Sequence, residues 1–289
     1  MGININFLLL GGCTSVGNNQ LHTETGTESY NATEEWNKDG QQETAYLPET
    51  ERNTQVTEPA FSLRIGTYNI KNGSMVEYDM SMLASDITAL DLDVVGLQEV
   101  DRGTERAGGL DTLKLLAEAA EYPYYRFAKA IDYQGGAYGT AILSRYPITD
   151  FEVIPLETDE GIERRSLSHA ILEINDVQVD FFNTHLSYES KSLRSKQFTT
   201  IAEKTEECSA MILTGDFNTD KLLEFWRLQN VRFVNRGEYG TLGSIEDGAA
   251  IDNIILSQSW QIMDAGMVRS NHSDHKLLWA EIGYLILIE

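Results

Sequence analysis

Cysteine is nearly absent: Cys13 and Cys208 are the only two in a chain of 289 residues. They lie far apart in regions of different character, which excludes a disulfide framework and argues against a single bridge. Cys208, near the end of a helical-looking stretch, reads as a small core residue rather than a reactive thiol. Basic residues are also scarce. Lys and Arg number 22 against 45 Asp and Glu, giving a formal net charge of −23 and a pI near 4.5. So acidic a surface repels phosphate backbones and argues against a broad, non-specific nucleic-acid groove. It leaves room for a local positive or metal-bearing pocket, because a bound cation dominates the field of its own site. HExxH and paired cysteines are missing too, which argues against zinc.

The N-terminal apolar stretch, residues 7–10, is far shorter than the roughly 20 residues a transmembrane helix needs. It runs into Gly11-Gly12-Cys13, a pattern similar to the end of a bacterial lipoprotein signal with a lipidated Cys. Residues 1–12 contain neither Lys nor Arg, although a secretory signal opens with one. Either a basic segment precedes Met1 or the match is accidental. Residues 14–59 are rich in Thr, Glu, Asn, Gln and Gly and show no period of 2 or 3.6. Such a composition does not bury enough apolar surface to offset the entropy of ordering. The expected organisation is a signal-like segment over 1–13, a disordered acidic linker over 14–59 and a folded domain over 60–289. It would place the domain outside the cytoplasm, tethered to the cell surface at Cys13.

From Phe61 the texture changes. FSLRIGTYNI reads as a strand, MSMLASDITALD as a helix, LDVVGLQEV as an apolar strand, and GGLDTLKLLAEAAEY as an amphipathic helix. YYRFAKAI, GTAILSRYPI, FEVIPLE, SLSHAILEI and VQVDFFNTHLS follow as β-type runs. SKSLRSKQFTTIAEKTEEC is helical, AMILTGDFNTD a strand, and LLEFWRLQ a helix before a Gly-rich loop. AIDNIILS, QIMDAGMV and LLWAEIGYL close the chain. No internal repeat is visible, and no polar linker interrupts residues 61–285, so the pattern is one α/β domain.

Several apolar runs end in acids, amides or histidines: Asn69, Glu99, His185, then Asp216 with Asn218, with Asp252 just inside another run and Asp274-His275 before the last. Functional groups in α/β folds gather where strand ends meet loops. In an extended segment Asp216 and Asn218 would share a face with Phe217 turned away; a loop capping the next helix accounts for them equally. Taken singly, each of these residues has a structural role open to it as a turn, cap or half-buried group. As a set, acids and amides without thiolates suit a hard cation such as Mg²⁺ or Mn²⁺, and two histidines suit proton transfer and phosphate contact.

TYNIKNG, LQEVD, YGTAILSRYPI, FFNTHL, LTGDFNT, IDNIIL and SDHKLL, in this order, resemble the endonuclease/exonuclease/phosphatase superfamily. That group includes pancreatic-type deoxyribonuclease, abasic-site endonucleases, neutral sphingomyelinases and inositol polyphosphate 5-phosphatases. The resemblance spans residues 61–285 and implies a four-layer α/β/β/α sandwich of two mixed sheets. It implies Glu99 as principal metal ligand, with Asn69 close to the metal and Asp274 beside it. Asp216 would position or deprotonate the attacking water, and Asn218 would hold that water or a phosphate oxygen. His185 would bond the scissile phosphate, while Asp252 orients His275 and supports its positive charge. Arg165 is a candidate phosphate ligand in competition with Arg164, and Tyr138 is a weaker one.

The resemblance implies a Mg²⁺- or Mn²⁺-dependent phosphoric ester hydrolase acting by in-line attack of water. Neither diester nor monoester is selected. The acidic balance favours a small molecule or lipid headgroup over DNA or RNA, and the short KSLRSK patch reads as a solvated helix start. Membrane contact is expected through the anchor alone, and no protein partner is indicated. The alternative class is a surface binding module that keeps the fold without the activity.

Overall fold

The computed structural model describes residues 33–36, 42–45, 58–236, 240–246 and 248–286. The chain divides into two units, Met1–Gln55 and Val56–Glu289. In the first, strands β1 (Thr33–Trp36) and β2 (Gln42–Ala45) pair antiparallel. Cys13 and most of the segment expected as a linker lie outside the described residues.

The second unit contains two six-stranded mixed sheets. One has the order β11-β12-β10-β9-β8-β7, from Val231–Phe233, Asp252–Ser257, Met211–Asp216, Val177–His185, Ser166–Ile174 and Ile148–Pro155. The other has the order β13-β14-β3-β4-β6-β5, from Trp260–Val268, Leu277–Tyr284, Phe61–Asn69, Val94–Arg102, Gly136–Ser144 and Tyr124–Tyr133. Each sheet holds one parallel pair at its centre, β9 with β10 and β3 with β4. Helices α1 (Met80–Thr88) and α2 (Thr112–Ala119) cover the second sheet, and α3 (Lys191–Thr205) covers the first. Side chains of Asp79, Asp111 and Ser190 accept from the first-turn amides of these helices, fixing where each begins. None of the helices among the described residues is long and apolar enough to cross a membrane.

Three apolar layers hold the stack together, and strand alternation assigns each residue to its layer. On β9, Val179 and Phe181 face the other sheet while Phe182 faces α3; on β10, Ile212 and Leu213 divide the same way. On β4, Val94 faces inward, and Val95 and Leu97 meet α1 and α2. The arrangement is the four-layer α/β/β/α sandwich that the family resemblance implied.

Local readings differ in three places. LLEFWRLQ forms only a four-residue 3₁₀ helix, Leu222–Phe225, because Phe225 is drawn into the aromatic cluster of Phe198 and Phe217. GTAILSRYPI is split between β6 and β7, since the strand ends at Ser144 and Ile148 opens the next one in the other sheet. The edge strand β11, only three residues long, is too short for its period to register.

Candidate active site

The inward-facing positions of four strands change character together towards one end. Along β3 they run Leu63, Ile65, Thr67, Asn69; along β9, Val179, Phe181, Asn183, His185; along β10, Ile212, Thr214, Asp216. On β12, antiparallel to β10, Leu256 and Ile254 precede Asp252 in space. Two-residue alternation therefore stacks an apolar layer, a hydroxyl and amide layer, and a layer of acids and histidine. The last layer is the candidate site.

The middle layer joins the sheets. Gln98 Nε2 donates to Asn183 Oδ1 (2.6 Å) and Thr67 Oγ1 (3.0 Å), and Thr214 Oγ1 donates to Asn183 Oδ1 (3.1 Å). Asn183 Nδ2 donates to the carbonyls of Leu97 and Ala141, both at 2.9 Å. Gly96 lies opposite this network, where a Cβ would overlap Thr214 Oγ1 and Asn183 Oδ1. Close approach of the sheets requires glycine there.

Above this network, Asn69 Nδ2 donates to Glu99 Oε1 (3.1 Å) and to Asp216 Oδ2 (3.0 Å), with Asn69 and Asp216 buried. Regular alternation would turn Glu99 outward, away from these partners. Instead β4 carries a bulge between Leu97 and Val100, and Glu99 adopts φ +57°. A left-handed non-glycine residue is strained, and here the strain aims the carboxylate at Asn69.

Asp216 and Asn218 are also brought together differently from the expectation of one shared strand face. The strand ends at Asp216, and Asn218 has φ +49°. Asp216 Oδ1 accepts from the Asn218 amide (3.0 Å), and the Asn218 side chain donates to the Leu186 carbonyl (2.8 Å). A local turn closed by the Asp side chain does the work that alternation was expected to do.

Two histidines flank Asp216 Oδ2, His185 Nε2 at 3.5 Å and His275 Nε2 at 3.7 Å. Their surroundings are opposite. Arg165 Nη1 donates to His185 Nδ1 (3.1 Å), so the neutral ring carries its proton on Nε2, towards Asp216. Burial, then the charges of Arg165, His275 and Lys71, hold His185 well below the usual imidazole range. His275 Nδ1 faces Asp252 Oδ2 at 2.8 Å. Burial opposes its charge, but Asp252, Asp216 and Asp274 outweigh burial and push its pKa up to about 9. Burial and the neighbouring Asp252 push Asp216 up to about 7.

Arg165 is buried at this position while Arg164 is exposed, so the geometry separates the two competing arginines. Tyr138 is buried on an inward-facing position of β6 and shares with Arg165 and His185 the wall of a cavity with room for about one water. Among the described residues Asp274 makes no hydrogen bond to Asn69 or Glu99, and the Lys71 ammonium feels both its charge and that of Glu99. Asp274 is exposed and binds Lys71 Nζ at 2.9 Å. Lys71, whose ammonium faces Asp274, Glu99 and Asp216, was missed in the sequence. The TYNIKNG loop that carries it has no periodicity, and its φ of +48° has no compositional signal.

A second residue set that escaped the sequence fixes the loop bearing Asp274 and His275. Asp86 of α1 accepts from Tyr68 Oη (3.0 Å), Ser270 Oγ (2.7 Å) and His272 Nδ1 (3.0 Å). Ser273 Oγ donates to the Asn69 carbonyl at 2.7 Å. Beside His275 opens a cavity of about 640 Å³, walled in part by Met75, Asn218, Ile251, Ser273 and Asp274.

Oxygen donors dominate the centre. Asp216, Asp252 and His275 present ligand atoms within 4.8 Å of one another. Among the described residues Asp252 Oδ1 is buried with no hydrogen-bond partner. With Glu99 and Asn69 adjoining, the donor chemistry fits a hard divalent cation.

The family model described as Endonuclease/Exonuclease/phosphatase family matches residues 66–275, and the chain belongs to that family. Members of the family are hydrolases of phosphate esters, typically dependent on a divalent metal. No curated protein matches the sequence significantly. Among solved structures, an endonuclease/exonuclease/phosphatase from Beutenbergia cavernae is 20% identical with a TM-score of 0.65, covering 78% of this chain and 72% of that one. A mannosyl-6-phosphatase from Bacteroides thetaiotaomicron is 18% identical with a TM-score of 0.59, covering 77% and 100%. Truncated TDP2 from Caenorhabditis elegans is 18% identical with a TM-score of 0.61, covering 78% and 98%. At these identities the likeness concerns the fold.

Proposed function

We propose that the chain is a Mg²⁺- or Mn²⁺-dependent phosphoesterase that hydrolyses a phosphate ester by in-line attack of water. The observation that carries this reading is the meeting of Asn69, Glu99, His185 and the Asp252–His275 pair around one buried carboxylate, Asp216. Glu99, with Asn69 beside it, would hold the cation, and Asp274 lies at the margin. Once bound, the cation supplies positive charge against the phosphate and leaving oxygens.

Asp216 takes a proton from the attacking water, a task suited to a carboxylate whose proton affinity lies near neutrality. Asn218 spends its amide on the Leu186 carbonyl, so its side-chain oxygen orients the water. His185 donates from Nε2 to a phosphate oxygen while Arg165 fixes its tautomer. His275, kept charged by Asp252, stabilises the negative charge that builds on phosphorus-bound oxygens. The new bond forms between water oxygen and phosphorus, the ester P–O bond breaks opposite it, and the released alkoxide takes a proton from solvent.

The net charge of −23 supports a small phosphate ester or lipid headgroup over a nucleic acid. The fold likeness to a mannosyl-6-phosphatase keeps a sugar phosphomonoester within range. The test is a panel of a chromogenic diester, a chromogenic monoester, plasmid DNA, sphingomyelin and inositol phosphates, with each metal in turn. His275→Ala serves as the blank. Turnover of one class, abolished by the substitution and by chelation, is the expected result. A folded protein that turns over none of them and binds neither metal would sink the catalytic reading and leave a binding module.

A further inference from the structure

Exposed large apolar side chains are normally scattered singly over a protein surface. Here they gather. Leu223 (81% exposed), Tyr188 (69%), Trp226 (58%), Leu222 and Met75 (48% each) are five of the six most exposed large apolar residues among those described. All five follow strand ends that carry the site: Met75 follows β3, Tyr188 follows β9, and the other three follow β10. The sixth, Ile286, follows β14, which runs antiparallel to β3 and so ends at the opposite edge.

The display is rigid. Arg194 makes a bidentate pair with Glu224 (2.8 and 3.1 Å), and both residues are buried. The same guanidinium donates to the carbonyls of Ser187 (3.1 Å) and Tyr188 (3.3 Å). Thr219 Oγ1 also donates to Glu224 at 3.0 Å. One buried ion pair thus ties the Tyr188 turn to the 3₁₀ helix bearing Leu222 and Leu223. Phe225 anchors that helix from below, at 4.8 Å from the Phe198 ring. A chain that holds Leu, Leu, Trp and Tyr in water on so firm a base presents them to something.

Charge narrows the occupant. The charge of Lys191 acts on Glu224, and Lys221 adjoins Leu222 with its charge offset by Asp220. Arg227 lies 4.4 Å over the Trp226 ring while also walling a cavity with Thr205 and Met211 towards the other end of β10. Leu and aromatic residues with cations at their edge match the apolar-to-phosphate gradient of a lipid headgroup layer. The overall charge of −23 repels an anionic bilayer. We propose that this rim docks onto a zwitterionic phospholipid surface, bringing the catalytic cavity against headgroup phosphates. Docking itself is independent of catalysis; only the use of those phosphates as substrate rests on the phosphoesterase reading.

The test uses the full chain with Cys13→Ser, so that no acyl group contributes, and co-sedimentation with phosphatidylcholine vesicles in chelator. The expected result is binding that falls by about tenfold or more in Leu223→Ser/Trp226→Ala. Vesicles containing phosphatidylglycerol should bind more weakly at low salt. Turnover of a soluble ester, where present, should be unchanged in the double variant, and circular dichroism should report an unaltered fold. Absence of vesicle binding by the folded protein overturns the proposal, as does equal binding of the double variant. A dimer that the double substitution converts to monomer overturns it in favour of a contact between copies.

Discussion

The far and near halves of the space between the two sheets are built from opposite chemistries on the same strands. At the far end Leu63, Phe181, Ile212 and Leu256 close the gap by apolar contact. At the near end Thr67, Gln98, Asn183 and Thr214 close it by hydrogen bonds, and Asn69, His185, Asp216 and Asp252 sit directly beyond. Apolar contact is non-directional and tolerates small shifts, whereas the directional bonds of a buried amide network fix one spacing, even though Gln98 Oε1 has no partner among the described residues. The protein therefore sets its site on the half of the interface that specifies position, and leaves bulk stabilisation to the other half.

The sharpest probe of this division is chemical. Asp216→Asn or His275→Ala should lower turnover by about 10²- to 10⁴-fold while leaving the fold intact, measured as kcat beside circular dichroism. A comparable loss from an apolar substitution at the far end would break the comparison. Next in size, Asn183→Leu strands the Gln98 amide and the Leu97 and Ala141 carbonyls. It should cost about 3 kcal/mol or more in urea unfolding. Ile212→Val, at the apolar end, should cost only about 1 kcal/mol.

Asp86→Ala tests whether the loop needs its own brace. Loss of the Tyr68, Ser270 and His272 contacts should lower kcat by about tenfold with little change in KM, read by steady-state kinetics. Equal effects on both would point to a binding role instead.

The smallest expected effect is on stability against pH, followed by thermal melts in chelator. His275 is raised from 6.5 to about 9, so its contribution is complete below about pH 6.5 and is lost as pH rises through 9. Asp216 is raised from 3.8 to about 7, so its contribution fades as pH rises through 7. His185 is depressed, and it opposes folding as pH falls below its ordinary value. The metal-free protein should thus be most stable near pH 6 and lose melting temperature towards pH 9. Asp216→Asn should flatten that decline, and a steeper decline in the variant would contradict the assignment.

Much of this was legible in residue order. The single α/β domain follows from apolar runs alternating with amphipathic helices, its four layers were implied only by the family resemblance, and the polar strand ends named Asn69, His185, Asp216 and Asp252. The graded sequence Leu63, Ile65, Thr67, Asn69 even encodes depth, and reading it at steps of two would have paired Asp216 with Thr214 rather than Asn218. What escaped was whatever depends on backbone sign or on distant partners. The positive φ of Glu99 and Asn218, the burial that singles out Arg165, and the Lys71–Asp274 and Asp86–His272 pairs arise only when separate segments meet. Local composition carries no trace of them.

The bulge in β4 separates architecture from chemistry at a single codon. Gln98 and Glu99 together stand opposite one residue of β6, Thr140, so the strand is one residue longer than its ladder requires. Deleting Glu99 would restore an uninterrupted antiparallel pairing from Val94 to Arg102 and remove the proposed metal carboxylate in the same event. A lineage could therefore silence this site, and relieve the left-handed strain at Glu99, in one step that leaves Gln98 and the amide brace where they are.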